Sequence, residues 1–245
     1  MKKLAIIAFA AAVVCGCAKT ESDTVRMITE ATFPPYEFLR GQEIVGIDVE
    51  ICRAVADKLG KKFKCETVDF DSVIPAVISG KADLAAAGIT ITEDRKKNVD
   101  FSAPYVKTGI VVIYKKDNPF ADKDQLKGKK VGVQAGTTSE TFVTDELKQE
   151  PERAKSPAEA VAALKSGRVD FVIADIDPAK NCVKGEESLA LSDFITSEEY
   201  AIAIKKGQGE LLKVINETIA ELKADGRLAK WIKDYTEESD KLKDK

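Results

Sequence analysis

Beyond residue 24 the chain alternates short apolar runs with segments in which apolar positions recur every three to four residues. Residues 25–29, 83–87, 130–133 and 169–174 are apolar runs of strand length. Between them Ile47, Ile51, Val55 and Leu59 recur every four residues and stop at Gly60, the pattern of an amphipathic helix with its terminator. Ser72 opens a second helical segment that stops at Gly80. Ser156-Pro157-Ala158-Glu159 reads as a capping box with proline at the first helical position, and that helix stops at Gly167. Near the end Leu212, Ile215, Ile219 and Leu222 share one helix face, with Gly226 near the stop and Trp231 packing beyond it. Strands alternating with helices predict an α/β fold, with parallel sheets covered by helices on both faces.

The pattern repeats. Ser79-Gly80-Lys81-Ala82-Asp83 and Ser166-Gly167-Arg168-Val169-Asp170 each join a helix, a glycine stop and an apolar strand. Two further apolar runs, 110–113 and 201–204, are each followed by a lysine pair and would carry the chain out of one unit and back. The expected architecture is two α/β lobes joined by two hinge strands. Lobe one holds residues 25–108 and 203–245, and lobe two holds residues 109–202.

The first residues stand outside this pattern. Lys2-Lys3 precede an apolar run from Leu4 to Val14, a secretory leader too short to span a bilayer comfortably. The run ends Val14-Cys15-Gly16-Cys17, which resembles a bacterial lipobox, so residues 1–16 are expected to be cleaved and Cys17 to carry lipid, with 17–24 as a tether. Export permits a disulfide. Cys52 and Cys65 lie on a helix and the strand after it, a spacing that allows a bridge without requiring one, and Cys182 is left over.

Composition narrows the chemistry. The 245 residues are 44% hydrophobic and 32% charged, which excludes a disordered or fibrous chain. With 38 basic and 41 acidic residues the formal net charge is -3, and no basic stripe suits a nucleic-acid backbone. There is no histidine, which removes His-based triads, most zinc sites and the commonest general base. Cysteine spacing forms no metal-site pattern, and no cofactor motif is present. A binding protein is the strongest remaining reading.

Open α/β sheets bind ligands in the crevice beyond the carboxyl ends of their strands. Glu30 and Phe33 follow the first strand; Gly88, Thr90, Thr92 and Arg95 follow the run 83–87. In the second unit Gln134-Ala135-Gly136-Thr137-Thr138-Ser139 follows one strand and Asp175 follows another. Arg95 sits three residues after Thr92, a natural N-cap, and a guanidinium suits a carboxylate bidentately. Gly136-Thr137-Thr138-Ser139 offers free N–H groups at a helix start, and no Gly-Lys-Ser/Thr follows it as a nucleotide loop would require. Phe70 is a candidate aromatic wall. Each has a plainer alternative: Arg95 as a solvated surface charge, Asp175 as a turn former, Glu30 as a strand-end charge, and Phe33 and Phe70 as core aromatics.

These segments resemble the solute-binding proteins of ABC transporters for polar amino acids. The likeness runs through Glu30-Ala31-Thr32-Phe33-Pro34-Pro35-Tyr36-Glu37-Phe38, Val45-Gly46-Ile47-Asp48-Val49-Glu50 and Asp69-Phe70-Asp71-Ser72-Val73-Ile74-Pro75-Ala76. It continues through Ala87-Gly88-Ile89-Thr90-Ile91-Thr92-Glu93-Asp94-Arg95, Asp100-Phe101-Ser102 and Val131-Gly132-Val133-Gln134-Ala135-Gly136-Thr137-Thr138, and it spans nearly all of residues 25–235. The resemblance implies a two-lobed periplasmic-binding-protein-like fold that closes on one free amino acid and hands it to a membrane permease. It implies that Arg95 holds the α-carboxylate, that Ala87, Gly88, Thr90, Thr137 and Thr138 add hydrogen bonds, and that Asp175 holds the α-ammonium. Phe33 and Phe70 would flank the side chain and Glu30 would meet its tip, while the position of Gln134 varies with the ligand.

A zwitterionic backbone satisfies Arg95 and Asp175 and leaves Glu30 unpaired, so a cationic side chain is the natural complement. Arginine, lysine or ornithine is therefore the expected ligand, with glutamine or cystine as alternatives because a carboxylate also accepts from an amide or from water. Two rival classes are weighed. Some cyclohexadienyl dehydratases resemble these proteins, and Glu30 would be their general acid. A sensor module is disfavoured because the chain carries no span or signalling domain. The expected protein is an extracytoplasmic, membrane-anchored monomer, not an enzyme.

Overall fold

In a computed structural model of the chain, residues 23–242 are described. The leader, its cleavage point and Cys17 lie outside them. Two mixed sheets carry the architecture. The first runs Lys62–Thr67, Thr24–Thr29, Leu84–Ala85, Ala203–Lys205, Val99–Phe101 in spatial order. The second runs Glu152–Ala154, Val131–Gln134, Phe171–Asp175, Val106–Lys115, Leu189–Leu191, with Thr196–Tyr200 also paired to Val106–Lys115.

Strand alternation sorts each sheet's side chains into two cores. Val25 and Met27 face the helix Ile47–Lys58 and the terminal helices Gly209–Ala224 and Arg227–Leu242, whereas Ile28 faces the helix Val73–Ile78. In the second sheet Val111, Ile113, Val172 and Ala174 pack on one face against the helix Pro157–Lys165, and Ile110, Val112, Phe171 and Ile173 pack on the other. Helices on both faces explain why these strands read as continuous apolar runs.

The pairing is parallel only where helices connect neighbouring strands, as in Thr24–Thr29 with Lys62–Thr67 and Val131–Gln134 with Phe171–Asp175. The other half of each sheet is antiparallel, because Ala203–Lys205 and Val106–Lys115 enter from the crossings between the sheets. Those crossings pair with each other: Thr196 to Tyr200 lies antiparallel to Ile110 to Val106 in a continuous register.

Several local expectations shift. Gly60 adopts φ 65° and closes the helix Ile47–Lys58, its N–H donating to the Asp57 carbonyl at 3.0 Å. A 3₁₀ turn, Phe70–Ser72, precedes the helix Val73–Ile78, and the Ser72 side chain makes no cap hydrogen bond. Ser156 Oγ accepts from Glu159 N–H at 3.3 Å, but Glu159 reaches back to Lys155 N–H, one residue short of a reciprocal box. The run 83–87 yields only the strand Leu84–Ala85, after which the backbone turns into the cavity wall at Gly88. A small three-stranded ribbon, Thr32–Phe33, Glu37–Arg40 and Glu43–Val45, was not expected, because Pro34-Pro35 interrupts any alternation. No disulfide joins Cys52 and Cys65; burial raises both thiols, Cys65 to about 12.

Candidate functional site

Where the two sheets face each other, Phe33, Phe70, Gly88, Thr90, Arg95, Gln134, Thr137, Thr138 and Asp175 line a narrow cavity. A wider crevice of about 880 Å³ opens beside it along the crossing strands and shares Thr90 and Thr138. Its charged lining is Asp145, Glu146, Glu198 and Glu199 against Lys107 alone, with no arginine among them, so the paired charges converge on the smaller cavity.

Arg95 belongs to the one-turn helix Glu93–Lys96, whose N-cap Thr92 accepts from Arg95 N–H through Oγ1 at 3.2 Å. That cap sends the side chain back toward the strand end. Its guanidinium donates to the Thr90 carbonyl at 2.8 Å and, across the gap, to the Gly136 carbonyl at 3.0 Å. Cζ lies 5.6 Å from the centre of the half-buried Phe70 ring, a cation–π geometry. Burial lowers the guanidinium pKa, and the carboxylates of Glu198 and Asp175 oppose that shift.

Asp175 ends the strand Phe171–Asp175 and is buried. It accepts from the Tyr200 hydroxyl at 2.5 Å. Burial, then the Glu198 carboxylate, push its carboxyl up to about 7, against the pull of Tyr200 and Arg95. Thr137 caps the following turn: its Oγ1 accepts from Glu140 N–H at 3.3 Å and donates to the Gln134 carbonyl at 2.7 Å. Gly88 takes φ 55°, and a Cβ there would lie 2.6 Å from Phe33 Cε1, so the ring wall and the backbone wall meet only because residue 88 has no side chain.

Of the candidate residues, Glu30 and Ala87 do not touch the cavity. Glu30 is buried behind it, accepts from Thr32 Oγ1, and faces the Gln134 amide from the other sheet. Its Oε2 has no donor, and burial raises its pKa. Ala87 is buried in the core beside the Gly88 turn.

Other residues went unread as functional. Tyr36 donates from its hydroxyl to Asp177 Oδ2 at 2.8 Å, and Asn181 Nδ2 donates to the Pro34 carbonyl at 2.9 Å, so two contacts bridge the sheets outside the cavity. Tyr36 and Tyr200 meet edge to face with ring centres 5.0 Å apart, and Phe33 completes the trio. Glu198, on the strand Thr196–Tyr200, accepts from Thr90 Oγ1 at 2.6 Å. Polar groups wedged into apolar runs, as in Tyr36-Glu37-Phe38 and Ile47-Asp48-Val49, were the available signal.

The comparisons with known proteins agree with this geometry. Residues 25–238 match the model of the bacterial extracellular solute-binding proteins, family 3. ABC transporter arginine-binding protein 1 of Escherichia coli is 33% identical over 243 residues, covering 94% of this chain and 97% of that protein. The L-cystine-binding protein TcyJ of Escherichia coli is 33% identical over 215 residues, covering 85% of this chain and 80% of that one. Among solved structures, an ancestral arginine-binding protein bound to arginine superposes with a TM-score of 0.80 at 42% identity, covering 87% of this chain and 98% of that chain. An ancestral arginine-binding protein bound to glutamine superposes with a TM-score of 0.80 at 42% identity, covering 88% of this chain and 98% of that chain. Among the described residues no helix is long and apolar enough to cross a membrane.

Proposed function

The chain belongs to the bacterial extracellular solute-binding proteins, family 3, and from that premise we propose that it captures a free, cationic L-amino acid for an ABC permease. The observation that carries this reading is the cavity lined by both Arg95, from the helix Glu93–Lys96, and Asp175, from the facing strand Phe171–Asp175. A guanidinium holds an α-carboxylate bidentately, and an opposing carboxylate takes the α-ammonium. Thr90, Thr137 and Thr138 add hydroxyls, Phe33 and Phe70 sandwich the aliphatic stem, and Gln134 with Glu30 behind it receives the distal group. One ligand then bonds to both halves and favours their closed arrangement through its differential affinity for it.

Charge supports the cationic choice. Asp175 lines the cavity with the guanidinium of Arg95, and two further acids lie close by, Glu30 facing Gln134 and Glu198 near Arg95 and Asp175. A zwitterion leaves that balance unchanged, whereas arginine, lysine or ornithine lowers it. Glutamine or cystine is the second reading, favoured by the Gln134–Glu30 contact, which shows the acid beside an amide. We take residues 25–108 and 203–245 as one lobe and 109–202 as the other, Cys17 as the lipid-bearing first residue, and the working form as a monomer with no catalytic step.

Calorimetric titration with arginine, lysine, ornithine, glutamine and cystine tests the proposal. Arg95→Ala should abolish binding of all of them, while Glu30→Ala should weaken the cationic ligands and spare glutamine. Unchanged arginine and lysine affinity in Glu30→Ala would refute the charge argument, and turnover of prephenate would replace the transport reading with a dehydratase.

A further inference from the structure

Behind the cavity wall lies a buried acid pair that ligand contact does not use. Glu37 opens the strand Glu37–Arg40 and Asp48 sits in the first turn of the helix Ile47–Lys58; both are fully buried. Asp48 Oδ2 accepts from the N–H of Gly88, the backbone wall of the cavity, at 2.9 Å. Four other buried oxygens around it have no conventional partner: Asp48 Oδ1, Glu37 Oε1 and Oε2, and the Tyr105 hydroxyl. Glu37 faces Asp48, Glu30 and Cys65. Asp48 faces Glu37, Tyr105 and Cys52, and Tyr105 faces Asp48, Glu37 and Tyr36. None of these neighbours is a cation.

Two ionised carboxylates side by side in such a place have nothing to neutralise them, and the group that titrates gives up its charge. The backbone amide of Gly88 favours the ionised form of Asp48, and no donor favours that of Glu37. We propose that Glu37 holds a proton and donates it in a hydrogen bond to Asp48, and that this neutralised pair is a positioning device for Gly88 and the cavity wall. A neutral Glu37 carboxyl supplies Asp48 with a donor beside the Tyr105 hydroxyl, which also faces it. The Gly88 peptide is thereby held against Phe33, where the missing Cβ leaves contact distance for the ring. Burial raises both carboxyls, Asp48 to about 6 and Glu37 well above the carboxylate range. A raised folded-state pKa gives stability that is present in acid and lost as pH rises through that pKa.

Glu37→Gln keeps a donor that cannot ionise, so it separates the proton from the shape. The ligand arm of the test rests on the amino-acid reading above; the stability arm needs no ligand, so failure of one is distinguishable from failure of the other. Between pH 6 and pH 10, L-arginine affinity of the natural protein should fall relative to Glu37→Gln, by up to about tenfold per pH unit once Glu37 ionises, the titration of arginine itself cancelling in the ratio. Without ligand, its Tm should fall relative to Glu37→Gln over the same range, and hydrogen exchange in the peptide bearing Gly88 should accelerate relative to that variant. Parallel profiles in all three measurements would overturn the proposal, as would a tenfold loss of affinity in Glu37→Gln already at pH 6. If Glu37→Gln does not fold, the infrared carbonyl band of a neutral buried carboxyl decides alone. Recorded at pH 8 in a Glu30→Gln background, where Asp175 is mostly ionised, its presence supports the shared proton and its absence removes it.

Discussion

Acidification should weaken ligand binding through Asp175. In the ligand-free protein burial and the Glu198 carboxylate place this carboxyl at about 7. A bound α-ammonium stabilises the ionised form, so below pH 7 the free protein carries a proton that the complex does not, and binding must release it. Affinity then falls by the factor by which free Asp175 is protonated: about twofold at pH 7 and about a hundredfold at pH 5 relative to pH 8, or about 2.7 kcal/mol from two pKa units. For folding the sign is opposite. The raised carboxyl contributes stability in acid that is lost as pH rises through about 7, so on this group's account the ligand-free protein is less stable at pH 8 than at pH 6. Calorimetry with arginine from pH 5 to 8, in two buffers of different ionisation enthalpy, measures both the affinity and the proton. Because burial also raises Glu30, the series is run in parallel on Glu30→Gln. Asp175→Asn should bind more weakly at pH 8 and, in the Glu30→Gln background, show a flat profile. An affinity constant within twofold from pH 8 to pH 5, with no proton released, would refute the assignment of Asp175 to the ammonium.

Two further substitutions probe groups that bear on the cavity in different ways. Tyr36→Phe deletes the hydroxyl that donates to Asp177 across the sheets; losing about 1 kcal/mol from the closed arrangement should weaken arginine, lysine and glutamine alike by about fivefold, and a ligand-selective effect in calorimetry would argue that Tyr36 contacts the ligand instead. Gly88→Ala forces a Cβ to 2.6 Å from Phe33 at φ 55°, which should cost about 1–3 kcal/mol and lower Tm by about 2–4 °C for each; a thermal melt unchanged within 1 °C would show that the wall yields freely.

The fold was legible because its helices and strands carry their own periodicity. Ile47, Ile51 and Val55 predict the helix Ile47–Lys58 almost to the residue. The antiparallel halves of the sheets were not legible, since pairing partners such as Ala203 and Phe101 are about a hundred residues apart and apolar either way. In the candidate site, residues that end strands were readable from topology: Gln134 and Asp175 each close a strand. Glu30, also at a strand end, lies outside the cavity lining and faces Gln134 of the opposite sheet, a contact the sequence does not reveal. Tyr36, Glu198 and Tyr200 act through geometry across the gap, and a sequence carries no register between segments that meet only after folding.

The order of strands in the first sheet has a consequence for how the molecule is made. Ala203–Lys205 lies between Leu84–Ala85 and Val99–Phe101, so a chain emerging from its amino end has a slot in the middle of that sheet until nearly everything else has appeared. The second sheet draws all its strands from one uninterrupted stretch, Val106 to Tyr200, and can assemble first. The arrival of residues 203–205 is thus the event that lets the earlier-synthesised half complete itself, and a truncation before residue 203 should leave that half open-edged and prone to association.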